Sequence, residues 1–110
     1  MSAPNLIATE RSVLRAMCQG VEGGSAWEEG MRLLRSYRFR DVTHQMVFEA
    51  LQQLGTGKPQ VIREHLQRRL VLAGFPDLSV QSFFEPHGLG YRQMQELMQS
   101  LVKWSGGTAP

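Results

Sequence analysis

The sequence is poor in the features that mark secreted, disulfide-rich and membrane-spanning proteins. It contains a single cysteine, Cys18, which excludes the intrachain disulfide framework on which small secreted domains usually depend. No apolar run approaches the roughly 18 to 20 residues that cross a bilayer, and the opening Met1–Leu6 lacks the charged-then-apolar order of a signal peptide. These absences predict a protein of the reducing cytoplasm that has no membrane partner.

Strand signals and an excess of charge are also scarce. No alternating run of β-branched and aromatic residues is long enough to indicate a strand. The 110 residues include 42% hydrophobic and 20% charged residues, which is the composition of one ordinary globular domain. The formal net charge is only +2, so nucleic-acid binding is expected to be weak or absent.

Helix signals, by contrast, recur along the whole chain. Apolar residues at helical spacing, preceded by N-cap residues and followed by glycine, predict an all-α, compact bundle of five to six short helices. The predicted helices span about Thr9–Gln19, with Thr9 as the N-cap, Ser25–Ser36, Asp41 or Thr43 to Leu54, Pro59–Ala73 and Tyr91–Trp104, with a further short helix capped by Asp77 between Phe75 and Pro86. We expect residues 1–8 to be disordered or extended, residues 9–104 to form a single domain and residues 105–110 to form a flexible tail.

The segment Gly55-Thr56-Gly57-Lys58-Pro59 shares its Gly-Lys pair with phosphate-binding loops. Such a loop needs a glycine five positions before the pair and a hydroxyl residue after the lysine. Gln52 and Pro59 stand at those two positions, and no strand precedes the segment. The pattern therefore predicts the end of one helix and the start of the next.

The residue types that could support catalysis do not combine into a recognisable site. None of the three histidines forms the close helical pair of a zinc site, and we expect His44 to be buried with a hydrogen bond near a helix start. Cys18 lies on the apolar stripe of the first helix, where a free cysteine acts as a small hydrophobe. Glu28 and Glu29 are adjacent on a helix and point in different directions. We predict a non-enzymatic protein with no catalytic residue, metal or cofactor.

Two clusters are candidates for binding. The densest basic segment alternates arginines with aromatic residues, and it is either a solvated or protein-binding face or a nucleic-acid contact in which aromatics stack on bases. The apolar stripe of the last helix is either core or an interface with a second copy or another partner. The basic candidates are Arg32, Arg35, Arg38 and Arg40, interleaved with Tyr37 and Phe39; the interface candidates are Tyr91, Met94, Met98, Leu101 and Trp104.

The centre of the chain carries a more specific pattern. Phe39 precedes His44 by five residues, an aliphatic–Phe pair follows the histidine, and a leucine and Gly57-Lys58-Pro59 come next. With Glu10 and the Val-Leu pair of the first helix, this pattern resembles the amino-terminal domain of DnaB-type replicative helicases over about Ala8–Glu85. Most of these residues are expected to determine the fold.

The resemblance implies a non-catalytic interaction and oligomerisation module linked to DNA replication. The family domain self-associates through a helical hairpin and helps to bind primase or loader proteins, so the expected partners are a second copy in a homodimer and primase, helicase or loader. In the family a linker and an ATPase domain follow, and we expect a stand-alone or truncated module here. The alternative is a small nucleic-acid-binding accessory protein that uses the segment Arg32–Arg40.

Overall fold

The protein is all-helical, as the sequence predicts. The structure, a computed structural model, describes residues 5–107, and within that range it contains five α-helices, one short 3-10 helix and no strand. The elements are α1 (Leu6–Gln19), α2 (Ala26–Leu33), α3 (Val42–Leu54), α4 (Pro59–Leu72), the 3-10 helix (Gln81–Phe84) and α5 (Tyr91–Gly107). None of the described helices is long and apolar enough to cross a membrane.

Side-chain caps and glycine set the helix boundaries where the sequence indicates them. The Ser25 hydroxyl accepts a hydrogen bond from the Glu28 amide, and Asp41 caps α3 in the same way. Gly55 ends α3 in the left-handed conformation at φ 68°, and Pro59 is the first residue of α4. The glycine–lysine segment is therefore a link between two helices, as predicted.

Both terminal helices extend beyond their predicted bounds. α1 begins at Leu6 because Asn5, rather than Thr9, is its N-cap, with a 3.0 Å hydrogen bond from the Ala8 amide to the Asn5 side chain. Residues 6–8 are thus helical and not extended, and α5 continues through Gly107. The rest of the two predicted flexible ends, residues 1–4 and 108–110, lies outside the described residues.

The core surrounds α1, which packs against the other four α-helices and the 3-10 helix. Its apolar stripe, including Val13, Leu14 and Met17, is fully buried. Val42, the first residue of α3, is 69% exposed. It precedes the buried Leu51 by nine residues, and at about 100° of rotation per residue this places the two side chains on opposite sides of the helix.

The connection between α4 and α5 is fixed by glutamine and arginine side chains. The Gln67 amide donates to the Leu78 carbonyl at 2.7 Å and accepts from the Val80 amide at 3.2 Å. Arg15 Nε donates to the Ser82 carbonyl at 2.8 Å, which holds the 3-10 helix against α1. The predicted short helix in this segment is therefore a 3-10 turn that starts at Gln81, well after Asp77.

Candidate functional site

Glu10 of α1 is the centre of a buried polar cluster. Its Oε2 accepts hydrogen bonds from the Tyr37 hydroxyl at 2.6 Å and from the Arg40 amide at 2.7 Å. Its Oε1 lies 2.9 Å from His44 Nδ1 and 3.4 Å from the Asp41 amide nitrogen. One carboxylate thus ties α1 to the connector between α2 and α3 and to the first turn of α3.

This cluster stabilises the fold, and its carboxylate is not available to bind a ligand. A carboxylate offers about four lone-pair positions, and four protein donors surround Glu10, so it has no acceptor site left for a ligand. Burial, together with the hydrogen bond to Glu10, raises the pKa of the Tyr37 phenol above its ordinary value. His44 is buried and hydrogen-bonded, as predicted from the sequence. The burial of Glu10 was not predicted, because a glutamate in a first helix is usually exposed.

His44 also lines an open cleft of about 400 Å³ between α1, the start of α3 and residues 79–85. Its Nδ1 pairs with Glu10, and Nε2 has no hydrogen-bond partner among residues 5–107. Three hydroxyl residues, Thr43, Ser79 and Ser82, line the same cleft. Activation of a hydroxyl nucleophile needs a hydrogen bond with a base. No hydrogen bond between a hydroxyl group of this cleft and the imidazole is present among the described residues.

The charged groups of this cleft largely neutralise one another. The Arg15 guanidinium lies 3.2 Å from the Glu85 carboxylate, and Asp41 accepts hydrogen bonds from the Thr43 and His44 amides. Arg11 is the remaining cation. Opposite charges in similar number give the cleft no clear preference for an anion or a cation.

Cys18 has the environment of an inert thiol. Its side chain is fully buried on α1, and burial raises the pKa of the thiol to about 12. The thiolate is the nucleophilic form of cysteine, and at neutral pH almost none of it would be present. This confirms the prediction that Cys18 belongs to the core.

The adjacent carboxylates of α2 have different surroundings. Glu28 is exposed, whereas Glu29 is buried between α2 and α5, where it accepts a 2.6 Å hydrogen bond from Gln95. Arg32 donates to both oxygens of Glu29, at 2.8 and 2.9 Å. The Gln95 hydrogen bond, followed by the contacts with Arg32, lowers the pKa of Glu29. Glu29 is a link between helices, and the two carboxylates do not form an acid–base pair.

The basic segment presents charge but no aromatic surface. Arg35, Arg38 and Arg40 are exposed, and Arg32 is paired with Glu29. Tyr37 and Phe39 are buried and contact each other edge to face, with ring centroids 4.9 Å apart. The interpretation in which these aromatics stack on bases is therefore wrong, and only phosphate contacts by arginine remain open.

The predicted interface on α5 requires a correction. Met94, Met98 and Leu101 have no exposed area, because they complete the core against α1 and α2. Tyr91 is half-buried, and Trp104 is 39% exposed beside Val102. The stripe is core along most of its length, and of the five interface candidates only Trp104 is largely accessible.

A groove that the sequence did not reveal runs between the end of α3 and the outer side of α4. We call it the α4 groove; it has a volume of about 390 Å³, and it is lined by Leu54, Val61, His65, Arg68, Arg69 and Leu72. Leu72 is 72% exposed, more than any other large apolar residue described, and the adjacent Val71 is 45% exposed. The groove thus combines apolar side chains with two arginines.

One signal in the sequence could have pointed to this groove. α4 carries Val71 and Leu72 directly after the core residue Leu70, so its apolar residues exceed what one core stripe needs. Without the position of α3 and its Leu54, however, the sequence cannot show that these residues border a groove.

Comparison of the chain with protein-family models, curated proteins and solved structures finds no match. The resemblance to the DnaB amino-terminal domain therefore stays a prediction from the sequence pattern. Among the described residues, no group of three or more His, Cys, Asp and Glu side chains is arranged to hold a metal ion.

Proposed function

We propose that the chain is a non-catalytic protein-interaction module and that the α4 groove is its docking surface. The observation that carries the proposal is that Leu72, which is 72% exposed, lines one groove together with Leu54, Val61 and two arginines. A single exposed leucine is common on protein surfaces, whereas apolar residues gathered with a few charged ones in one concave surface are typical of binding sites.

The distribution of polar groups supports the same proposal. The buried charged residues and the buried histidine described, Glu10, Glu29 and His44, are all engaged in contacts that join helices. The arginines of the α4 groove, by contrast, form no ion pair with a carboxylate among residues 5–107. Charged groups without internal partners at the rim of an apolar surface are suited to recognising another molecule.

The proposed role in replication rests on the resemblance alone. Glu10, Phe39 and His44, which carry that resemblance, belong to the interior cluster or to the core beside it, so they favour a shared fold more than a shared partner. By that resemblance we propose primase, a helicase or a loader as the protein that docks. A homodimer formed through the last helix would use the end of α5, where Val102 and Trp104 are exposed.

Site-specific photo-crosslinking in the cells that naturally produce the protein tests the docking role. A benzophenone amino acid at position 72 should give an adduct of defined mass, and the same residue at Arg92, an exposed site on α5, should not. The adduct should disappear when Arg68 and Arg69 are changed to glutamate. Failure to obtain any adduct at position 72, or equal adducts at both positions, would contradict the proposal.

The alternative function, nucleic-acid binding through the segment Arg32–Arg40, keeps one supporting observation. Arg35, Arg38 and Arg40 are exposed and close together in the chain. Fluorescence titration with labelled single-stranded DNA at low and physiological salt decides between the functions, because counterion release makes phosphate contacts steeply salt-dependent. Binding at low salt that is lost in an Arg35→Glu/Arg38→Glu variant would favour the alternative, and no binding at low salt would exclude it.

A further inference from the structure

We infer that the α4 groove takes an acidic amphipathic helix of a partner protein. The apolar side of that helix would lie on Leu54, Val61 and Leu72, and its carboxylates would face Arg68 and Arg69. The inference rests on the proposed function, and it adds the chemical class and the secondary structure of the bound segment.

The charge of α4 indicates an acidic partner. The exposed charged side chains of this helix and its N-cap are Lys58, Arg63, Glu64, Arg68 and Arg69, so four cations accompany one carboxylate. The Arg63 guanidinium lies 4.5 Å from the centre of the Phe84 ring, away from the groove. Arg68 and Arg69 line the groove and have no described ion-pair partner. Carboxylates on the partner would form ion pairs with these two arginines.

The shape of the groove indicates a helix rather than another peptide conformation. A peptide strand needs an open sheet edge, and residues 5–107 contain no sheet. A polyproline segment needs a groove lined by Tyr, Trp or Phe rings, and none of the lining residues is of these types. From Val61 to Leu72 the groove follows α4 for about 16 Å, which equals about three turns of a partner helix. Such a helix can place apolar residues at successive turns along it.

A second copy of this chain does not fit the groove by charge. At the end of α5, the exposed residues Val102 and Trp104 have Lys103 between them in the chain. The α4 helix of a second copy carries the same excess of positive charge. Either surface would bring cations towards Arg68 and Arg69. Charge complementarity therefore favours a segment from a different, acidic protein.

Fluorescence anisotropy with three labelled synthetic peptides of about 18 residues, long enough to form a helix on the groove, tests the inference. The first has leucines at helical spacing with glutamates on the other side. The second has lysine in place of every glutamate. The third has the composition of the first, but its leucines are placed so that they do not lie on one side of a helix. We expect the first to bind at least about tenfold more tightly than either of the others, with an affinity that falls as salt screens the charges.

Paired charge reversals locate the binding. Arg68→Glu/Arg69→Glu should lose at least about tenfold in affinity for the acidic peptide and gain affinity for the lysine peptide. Arg35→Glu/Arg38→Glu changes the net charge by the same amount at another exposed site and should leave the preference unchanged. Leu72→Ser should lower the affinity for the acidic peptide by about fivefold, because an apolar contact is lost. Circular dichroism checks that each variant keeps its helix content. If Arg68→Glu/Arg69→Glu unfolds the protein, the neutral variant Arg68→Gln/Arg69→Gln is used in its place.

The outcomes separate the inference from the proposed function. Equal affinity for the acidic and lysine peptides, or the same loss from both paired reversals, would overturn the acidic-helix inference. If the crosslink at position 72 forms while the peptides show no preference, the docking role stands and the class of partner is wrong. If neither the crosslink nor peptide binding is seen, both are wrong.

Discussion

The Tyr37 hydroxyl donates a 2.6 Å hydrogen bond to the Glu10 carboxylate across 27 positions of the sequence. The contact fastens the connector between α2 and α3 onto α1, and Phe39 of the same connector packs on Phe48 of α3 with ring centroids 5.0 Å apart. A buried carboxylate needs such donors, because an unpaired buried charge is costly. The connector is thus part of the core although it has no regular secondary structure.

Tyr37→Phe is expected to lower the free energy of unfolding by about 1 to 2 kcal/mol, because Glu10 loses a donor that the buried site cannot replace by water. Tyr91→Phe is the matched control, since Tyr91 is half-buried and the hydrogen bond that its hydroxyl accepts from Gln95 is 3.4 Å long. Urea denaturation followed by circular dichroism measures both variants. Equal effects of the two substitutions would show that the Tyr37 hydroxyl has no special role.

Glu10 and His44 are expected to be energetically coupled. Glu10→Gln and His44→Phe should each cost about 2 to 4 kcal/mol, because each leaves a polar partner unsatisfied in the interior. The double variant should cost at least about 1 kcal/mol less than the sum of the two single changes. A double-mutant cycle in urea measures the coupling energy. Additive effects, within about 0.5 kcal/mol, would mean that the 2.9 Å contact contributes little to stability.

The sequence predicts the helices well because their caps are local. Ser25, Asp41 and Gly55 act within one or two turns of their own positions, so the residue type at each position suffices. The prediction of Thr9 as the first cap is wrong; it rests on Glu10, which suits the positive end of a helix dipole, whereas Asn5 caps α1 in the structure. In the structure Glu10 is drawn into the core by donors that are distant in sequence.

The binding surfaces were harder to predict because they depend on how helices meet. The stripe from Met94 to Leu101 has the same pattern whether it packs on α1 or on another chain, and only the tertiary structure shows that it is core. The α4 groove shows the same difficulty, since Leu54 and Leu72 belong to different helices and line one groove only because α3 packs on α4.

Glu29 should make stability depend on pH in the acid range. Its pKa is lowered in the folded protein from the ordinary value of 4.5, so folding favours the carboxylate. The contribution is therefore fully present above the unfolded-state pKa, and it is lost as pH falls through the lower folded-state value. Glu29→Gln should be about 1 kcal/mol less stable than wild type at neutral pH, and the difference should shrink below pH 4.5.

Glu28→Gln is the matched control for that measurement, because Glu28 lies in the same helical turn but is exposed. Thermal or urea unfolding at several pH values between about 3 and 7 gives the two difference curves. A constant difference for Glu29→Gln across this range, or the same pH profile for Glu28→Gln, would contradict the role of the Gln95 and Arg32 contacts.

Substitutions on α5 should separate its core from its surface. Met98→Glu places a carboxylate where no area is exposed, and it should cost more than about 4 kcal/mol or unfold the protein. Trp104→Glu alters a side chain that is 39% exposed, so the helix content should stay unchanged.

Light scattering over a concentration series then tests the homodimer. A wild-type dimer that becomes a folded monomer in Trp104→Glu would place the interface at the end of α5. A wild-type monomer at all concentrations would exclude the homodimer, and a folded Met98→Glu would show that the stripe is not core.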